Sequence, residues 1–279
     1  MNEEILREII KQDYAKIRQD IQSFLKNKVL EKKSNGVVFG LSGGIDSITV
    51  AFLCSKIFEK KTLALVMPDS NVSPSSEAGD ALKVVGELGI DYKLIDISQI
   101  HKMYSNHLEP DDLALGNLRA RIRANIIYYY ANLKNLLVLG TSDRSEYLIG
   151  YYTKFGDGSA DLLPIVSLYK TQLREFAKTL GVPNNIITKK SSPNLWEGHI
   201  AEDELGITYE EIDSILHCLE KELSINDIVK KTEIEKEFVE KIYQMHENSW
   251  HKRLPPKRVG QNIDEINKLK SRMMNDADI

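Results

Sequence analysis

The chain has 279 residues, of which 42% are hydrophobic and 28% are charged, a composition typical of a globular protein. Its net charge of −4 argues against a broad basic surface, so we expect no nucleic-acid partner. No apolar run approaches the ~18 residues that would cross a bilayer, and residues 1–4 lack the pattern of a signal peptide. We therefore expect a cytoplasmic protein with no membrane partner.

The predicted elements alternate between helices and short buried strands. Apolar residues at helical spacing predict helices at 5–30, 46–58, 77–88 and 111–133, and short apolar runs predict strands at 37–39, 63–67, 92–97 and 136–139. Because such alternation is typical of parallel βαβ units, the predicted fold class is α/β with a doubly wound, Rossmann-like parallel sheet. Ligands of these sheets bind beyond the carboxyl ends of the strands.

The chain becomes mainly helical after about residue 168. Residues 169–180 predict a helix that ends at Gly181, 188–206 form a polar loop, and 208–249 predict two or three helices. With no internal repeat and no Pro/Gly-rich linker, we expect one domain over 1–279. It would comprise an N-terminal helix at about 1–30, a nucleotide-binding sheet at 36–170 and a helical part at 171–279.

A glycine-rich segment follows the first predicted strand and opens a helix. It consists of Gly40, Leu41, Ser42, Gly43, Gly44, Ile45, Asp46 and Ser47. Consecutive backbone N–H groups and a helix N-terminus bind phosphate, and Asp46 would face that anion through a bridging Mg²⁺. The alternative is a glycine-rich turn in which Asp46 or Ser47 caps the helix. The spacing matches neither a Walker A loop nor Gly-x-Gly-x-x-Gly.

The string Ser-Gly-Gly-Ile-Asp-Ser at 42–47 resembles the pyrophosphate loop of the N-type ATP pyrophosphatases. That superfamily includes NAD, GMP and asparagine synthetases and tRNA-thiolating enzymes. The resemblance implies an adenine nucleotide alpha hydrolase type of fold. It also implies cleavage of ATP between the α- and β-phosphates, with adenylation of an oxygen on the substrate.

Later segments narrow the resemblance to the NAD synthetases, and more closely to their archaeal-type branch. The similar segments are 116–123, 140–146, 150–164, 192–198 and 251–253, so that the likeness runs from about 36 to 256. It implies a carbon–nitrogen ligase that uses ammonia to amidate deamido-NAD, the last step of NAD biosynthesis. The products would be NAD, AMP and pyrophosphate, formed through an acyl-adenylate.

The resemblance also implies roles for individual residues. ATP would be bound by the loop at 40–47 with Thr141, Lys170 and Ser192, and Mg²⁺, the expected cofactor, by Asp46 and Glu146. Deamido-NAD would be bound by Arg121, Lys154, Asp161, His251 and Lys252. Asp157 would help to hold metal or accept a proton from ammonium.

Several of these residues also have a structural interpretation, in which Thr141 and Ser192 are local cap or turn residues. Glu146 and Lys170 are ordinary surface residues in that view, Asp161 caps a turn, and Asp157 belongs to a tight turn between two glycines. The segment 142–145, Ser-Asp-Arg-Ser, departs from the Asp-His-Ala-Ala common in the bacterial branch, which leaves the surroundings of the adenylate open.

Three further expectations concern partners and motion. The resemblance implies a symmetric homodimer, which would use the apolar stretch 122–130 unless Tyr128, Tyr129 and Tyr130 pack on their own sheet. Loops 70–79 and 188–206 would close over the reactants, since water competes with ammonia for an acyl-adenylate. Glutamine would not serve as nitrogen donor, because Cys54 lies inside a predicted helix and is a poor nucleophile there.

Two alternative functions keep the phosphate loop. One is another ATP pyrophosphatase, such as a tRNA-thiolating enzyme, although the two cysteines have no partner spacing for thiolation. The other is a non-catalytic ATP-binding sensor, which would have no use for paired metal carboxylates.

Overall fold

The computed structural model of the chain describes residues 2–193, 195–196 and 198–256. Its strands are β1 (Gly36–Gly40), β2 (Thr62–Val66), β3 (Asp91–Leu94) and β4 (Leu136–Val138). Its first helices are α1 (Glu3–Ile10), α2 (Tyr14–Glu31), α3 (Ile45–Ser55), α4 (Ser75–Leu88), α5 (Ser98–Ser105), α6 (Asp112–Lys134) and α7 (Arg144–Ile149). The remainder are α8 (Lys170–Leu180), α9 (Asn184–Ile187), α10 (Ala201–Leu205), α11 (Tyr209–Glu220), α12 (Ile225–Thr232), α13 (Lys236–Asn248) and α14 (Trp250–Arg253).

The four strands form one parallel sheet in the order β3-β2-β1-β4, which confirms the predicted fold class. Val38 in the central strand β1 pairs with Leu63 of β2 on one side and with Val138 of β4 on the other. All residues of β2 are buried, and β1 is buried except at Gly40. Continuous apolar strands of this kind require helices on both faces of the sheet.

Alternate residues of the central strands point into two different cores. Val37 and Phe39 pack with residues of α2, α3, α4 and α8 in one core. Val38 and Leu65 pack with residues of α6 in another. Because side chains alternate between the two faces of a strand, this division shows that the central strands β1 and β2 are covered on both sides.

The predicted N-terminal helix at 5–30 is two helices, α1 and α2, separated at residues 11–13. Asp13 begins α2, since its carboxylate accepts a hydrogen bond from the Lys16 amide at 3.0 Å. The break occurs because the two halves pack in different places. Ile5 and Ile9 join a core formed by α11, α12 and α13, whereas Leu25 packs against the sheet.

Two predicted loops are shorter than expected because their ends are helical. The predicted loop 70–79 stops where α4 begins at Ser75, and α10 lies inside the predicted loop 188–206. Helix α5 was not predicted. The expectation of two or three helices at 208–249 is confirmed by α11, α12 and α13. In the part of the chain that the structure describes, no helix combines the length and hydrophobicity needed to span a membrane.

Candidate active site

The glycine-rich loop lies between the end of β1 and the start of α3, at the carboxyl edge of the sheet. Gly43 has φ +93°, and a Cβ built on it would lie 2.3 Å from the carbonyl oxygen of Glu77 in α4. Only glycine fits this position. The Ser42 amide donates to Ser47 Oγ and the Gly44 amide donates to Ser42 Oγ, both at 3.2 Å. The loop therefore holds its shape through its own hydrogen bonds.

The alternative reading of this segment, a capped turn, does not describe the structure. Gly44 is the N-cap residue of α3, and no side chain caps the helix there. Ser47 instead donates from its hydroxyl to the Gly44 carbonyl at 3.1 Å. A helix N-terminus without a side-chain cap keeps backbone N–H groups available for an anion.

A cleft of ≈ 470 Å³ opens beside this loop, above the carboxyl ends of the strands. The predicted residues that line it are Gly40, Leu41, Ser42, Asp46, Ser47, Thr141, Glu146, Asp157, Ser192 and Lys252. Gly44 and Ile45 line an adjoining smaller cavity of ≈ 100 Å³, together with Asp46 and Glu146. The rule that ligands bind at this edge of a parallel sheet therefore located most of the expected ATP and metal residues.

Lys170 lies at the centre of three carboxylates. Its Nζ is 2.6 Å from Asp46 Oδ1, 2.9 Å from Glu146 Oε1 and 3.0 Å from Asp143 Oδ2. The side chains of Lys170 and Asp143 are fully buried, whereas those of Asp46 and Glu146 retain 20% and 19% exposure. Lys170 is therefore not an ordinary surface lysine, and its contact with ATP phosphates stays a prediction.

The electrostatics of this cluster favour an additional positive charge. Burial raises the pKa of Asp143 to about 6, opposed by Lys170 and supported by repulsion from Asp46. Burial likewise raises the pKa of Glu146 well above its usual value, although part of its side chain reaches the cleft. Burial alone would lower the pKa of Lys170, but the three carboxylates outweigh it and raise that pKa.

The donor set fits a hard divalent cation. Carboxylate oxygens of Asp46, Asp143 and Glu146 lie within 4.8 Å of one another. Mg²⁺ prefers oxygen ligands and is usually held by one or two carboxylates together with substrate phosphates. Asp46 and Glu146, which face the cleft, would hold it there. Asp143 belongs to the segment 142–145 that departs from the bacterial pattern, but no role was predicted for it, although its place just beyond β4 was a signal.

A second buried carboxylate supports the cluster from behind. Asp213 in α11 accepts hydrogen bonds from the Thr171 amide at 2.9 Å, from the Thr171 hydroxyl at 2.7 Å and from the Ser145 hydroxyl. Ser145 Oγ in turn accepts from the Lys170 amide at 2.8 Å. Ser145 and Thr171, which adjoin Glu146 and Lys170 in the sequence, are thus hydrogen-bonded to α11 in the helical part of the chain. No motif in the sequence marked Asp213.

The residues predicted to bind deamido-NAD fall into separate places. Arg121, Lys154 and His251 come together: Arg121 Nη2 donates to the Lys154 carbonyl at 3.4 Å, and Lys154 Nζ donates to the His251 carbonyl at 2.6 Å. Lys252 Nζ donates to the Tyr152 carbonyl at 2.7 Å in the cleft wall. Asp161 lies apart beside β4, where it accepts from the Val138 amide at 2.8 Å.

Asp157 faces the cleft and has a structural partner of its own. Its Oδ1 accepts a hydrogen bond from the Thr153 amide at 2.9 Å. The residues that surround Asp157 displace water from one side of it, and this desolvation raises the pKa of its carboxylate. The other side of Asp157 is exposed to solvent in the cleft. A carboxylate whose pKa is raised is better suited to accept a proton than an ordinary aspartate.

The loop 188–206 covers one side of the cleft. Arg119 connects its tip to the sheet: Nη1 donates to the Leu195 carbonyl at 3.0 Å, and Nε donates to the buried Asp69 at 2.7 Å. Near the base of the loop, His199 Nε2 lies 2.7 Å from Glu204 Oε2, and the Trp196 ring stacks on His199. Glu197 lies outside the described residues.

These features together define an α/β protein of the Rossmann-like class, with a glycine-rich loop and a carboxylate cluster at one edge of a parallel sheet. The family model described as NAD synthase matches residues 17–256. The chain belongs to the NAD synthase family.

Similar proteins agree with this assignment. An NH3-dependent NAD synthetase from Hyperthermus butylicus is 48% identical over 256 residues, which is 90% of this chain and 93% of that protein. A solved NH3-dependent NAD synthetase from Campylobacter jejuni superposes with a TM-score of 0.76 at 32% identity and covers 89% of this chain and 99% of its own. An NMN synthetase from Francisella tularensis has a TM-score of 0.80 at 34% identity, covering 90% and 100%. The expected likeness to archaeal relatives is confirmed.

Proposed function

We propose that this protein is a carbon–nitrogen ligase that converts deamido-NAD into NAD with ammonia and ATP. The observation that carries the proposal is the meeting of the phosphate loop with Asp46 and Glu146 in one cleft, in a chain that belongs to the NAD synthase family. Neither a tRNA-thiolating enzyme nor an ATP sensor accounts for that family membership. Two free, buried cysteines are compatible with the cytoplasm as the proposed compartment.

The proposed reaction has two steps. An oxygen of the nicotinate carboxylate attacks the α-phosphorus of ATP, the bond to the bridging oxygen of the β-phosphate breaks, and pyrophosphate leaves. Ammonia then attacks the acyl carbon. The bond between that carbon and the oxygen of AMP breaks, AMP leaves with the oxygen, and the nitrogen loses a proton. Mg²⁺, when bound, would offset negative charge on the phosphates.

The chain's own residues would serve these steps in distinct ways. Backbone N–H groups around Gly44 bind the β- and γ-phosphates at the start of α3. Asp46 and Glu146 hold the metal, and Asp157 takes the proton released by the nitrogen nucleophile. The loop 188–206 would keep water away from the acyl-adenylate, which hydrolysis would otherwise destroy. Both this loop and loop 70–79 would close over the bound reactants.

The deamido-NAD site is proposed to lie at the interface of a homodimer. Arg121, Asn125, Tyr129 and Leu133 follow one another at intervals of four residues along α6, and all are exposed. Such spacing places them on one face of the helix. A second copy packed on this face would complete a site around Arg121. The expected stretch 122–130 is corrected in detail, because Ile122 is buried and Tyr128 and Tyr130 pack against their own core.

The test is direct synthesis with purified protein. Mg-ATP, ammonium and deamido-NAD should yield NAD, AMP and pyrophosphate in equal amounts, and Asp46→Asn should slow the formation of all three products roughly 10²–10³-fold. Glu87→Gln, at an exposed position in α4, is the matched carboxylate control and should behave as the unaltered protein. Pyrophosphate release without NAD would refute the proposed acceptor.

Two further arms of this experiment concern the substrates. Nicotinic acid mononucleotide should be tried as acceptor, because the fold is shared with an NMN synthetase, and a preference for it would replace deamido-NAD in the proposal. Glutamine in ammonium-free buffer should give no sustained synthesis. Cys54 is fully buried, and burial raises the pKa of its thiol, so it is unsuited to attack glutamine.

A further inference from the structure

Lys170 and its three carboxylate partners, Asp46, Asp143 and Glu146, form two layers that differ in their access to the cleft. Asp46 and Glu146 line the cleft, with about a fifth of each side chain exposed. Asp143 and Lys170 lie behind them with no exposure. A cation that arrives from the cleft therefore meets Asp46 and Glu146 first.

Asp143 is fixed in its position by the start of α7. It is the N-cap residue of that helix, and its Oδ1 accepts from the Glu146 amide at 2.9 Å. Its other oxygen, Oδ2, faces Lys170 Nζ at 3.0 Å. One oxygen of Asp143 is thus hydrogen-bonded to the helix, and the second forms an ion pair with the lysine without the geometry of a hydrogen bond.

Lys170 is equally constrained. Its backbone amide donates to Ser145 Oγ at 2.8 Å, and its Nζ lies 5.0 Å from the centre of the buried Tyr209 ring. The ammonium group has three carboxylate partners, of which Asp46 and Glu146 are the residues proposed to bind Mg²⁺. An ammonium and a divalent cation repel each other and compete for the same oxygens. Metal binding must therefore weaken two of the three ion pairs of Lys170.

A buried ammonium that loses its partners is strongly destabilised, so a retained partner matters. We propose that Asp143 is a positioning residue that keeps Lys170 in place when Asp46 and Glu146 bind Mg²⁺. The inference rests on the proposed metal site. It explains how a lysine surrounded by the metal carboxylates can remain beside a bound metal.

The proposal makes a specific statement about metal affinity in the absence of ATP. In Asp143→Asn, Lys170 keeps only Asp46 and Glu146 as partners, and it should hold them against the metal. Mn²⁺, which shares the preference of Mg²⁺ for carboxylate oxygens, is a suitable probe. Its dissociation constant, measured by titration with electron paramagnetic resonance detection, should rise about tenfold, equivalent to ~1.4 kcal/mol.

A double-mutant cycle separates this role from a direct effect of the Asp143 charge on the metal. Lys170→Met removes the competing ammonium and should tighten Mn²⁺ binding. Adding Asp143→Asn to Lys170→Met should then change the affinity less than twofold, because Asp143 acts through the lysine. An equal weakening in both backgrounds would mean that Asp143 acts on the metal directly, and the proposal would be overturned. Unchanged affinity in Asp143→Asn alone would overturn it as well.

Folding and the metal site need their own controls. Asn and Ser are good N-cap residues, so Asp143→Asn and Asp143→Ser should both keep α7 and should lose Mn²⁺ affinity alike. The rise in Tm caused by Mn²⁺ gives a second measure of affinity in any variant that is less stable. If the unaltered protein binds no Mn²⁺, or if Asp46→Asn leaves binding intact, the metal site is wrong and this inference falls with it. If both controls behave as expected and Asp143→Asn is neutral, only the role of Asp143 is refuted.

Discussion

Gly43→Ala is a sharp test of the phosphate loop. The backbone at Gly43 has φ +93°, and an alanine there costs roughly 1–2 kcal/mol because its Cβ crowds the following carbonyl oxygen. The new Cβ would also lie 2.3 Å from the Glu77 carbonyl oxygen. Since real Cβ contacts stay beyond 3.0 Å, the loop or α4 must move by about 0.7 Å.

That movement disturbs the backbone N–H groups that would bind the phosphates of ATP. Loss of one preorganised donor costs roughly 2.7–4 kcal/mol, or 10²–10³-fold in rate. We therefore expect adenylation to fall about 100-fold or more. The strain should also lower Tm by roughly 2–8 °C, given ~2–4 °C per kcal/mol in a domain of this size.

Pyrophosphate exchange into ATP, in the presence of deamido-NAD and without ammonia, measures adenylation alone. Gly79→Ala is the matched control, because Gly79 lies in α4 two residues from Glu77 and nothing lies within 4 Å of its added Cβ. In a helix interior that change should stabilise the protein by ~0.5–1 kcal/mol and leave the exchange rate unaltered. Near-normal exchange by Gly43→Ala would refute the assignment of this loop.

Three other predictions concern the metal, the lid and the dimer. Asp46→Asn and Glu146→Gln should each slow adenylation roughly 10²–10³-fold with the fold retained, and near-normal pyrophosphate release by both would mean that the metal is misplaced. Arg119→Gln should speed proteolysis within 188–206 in the presence of ligands. Equal cleavage rates for this variant and the unaltered protein would refute a role of Arg119 in holding the loop over the cleft. Tyr129→Glu should convert a dimer into monomers in sedimentation velocity, and a fully active monomeric wild type would contradict the shared site.

The order of the elements was predictable because it depends on local patterns. Short apolar runs such as 37–39 and 63–67 form buried strands when helices cover both faces of a sheet. The alternation of strands and helices along the chain predicts that the faces are covered in this way. The break in the first helix was not predictable, because its apolar positions keep one helical spacing from 5 to 25. The helix divides because Ile5 and Leu25 pack into two different hydrophobic cores.

The same distinction applies to the site. The sequence by itself determined the shape of the glycine-rich loop, because glycines and a helix start act on their own backbone. It also placed Asp46 and Glu146 just beyond strand ends that must share one edge of the sheet. Only the tertiary structure decided that Lys170 lies between them. That contact joins residues 124 positions apart, and the third carboxylate, Asp143, is brought to it by the packing of α7 against α8. The sequence shows that Lys170 carries a positive charge, but its ion-pair partners depend on which helices pack together in the core.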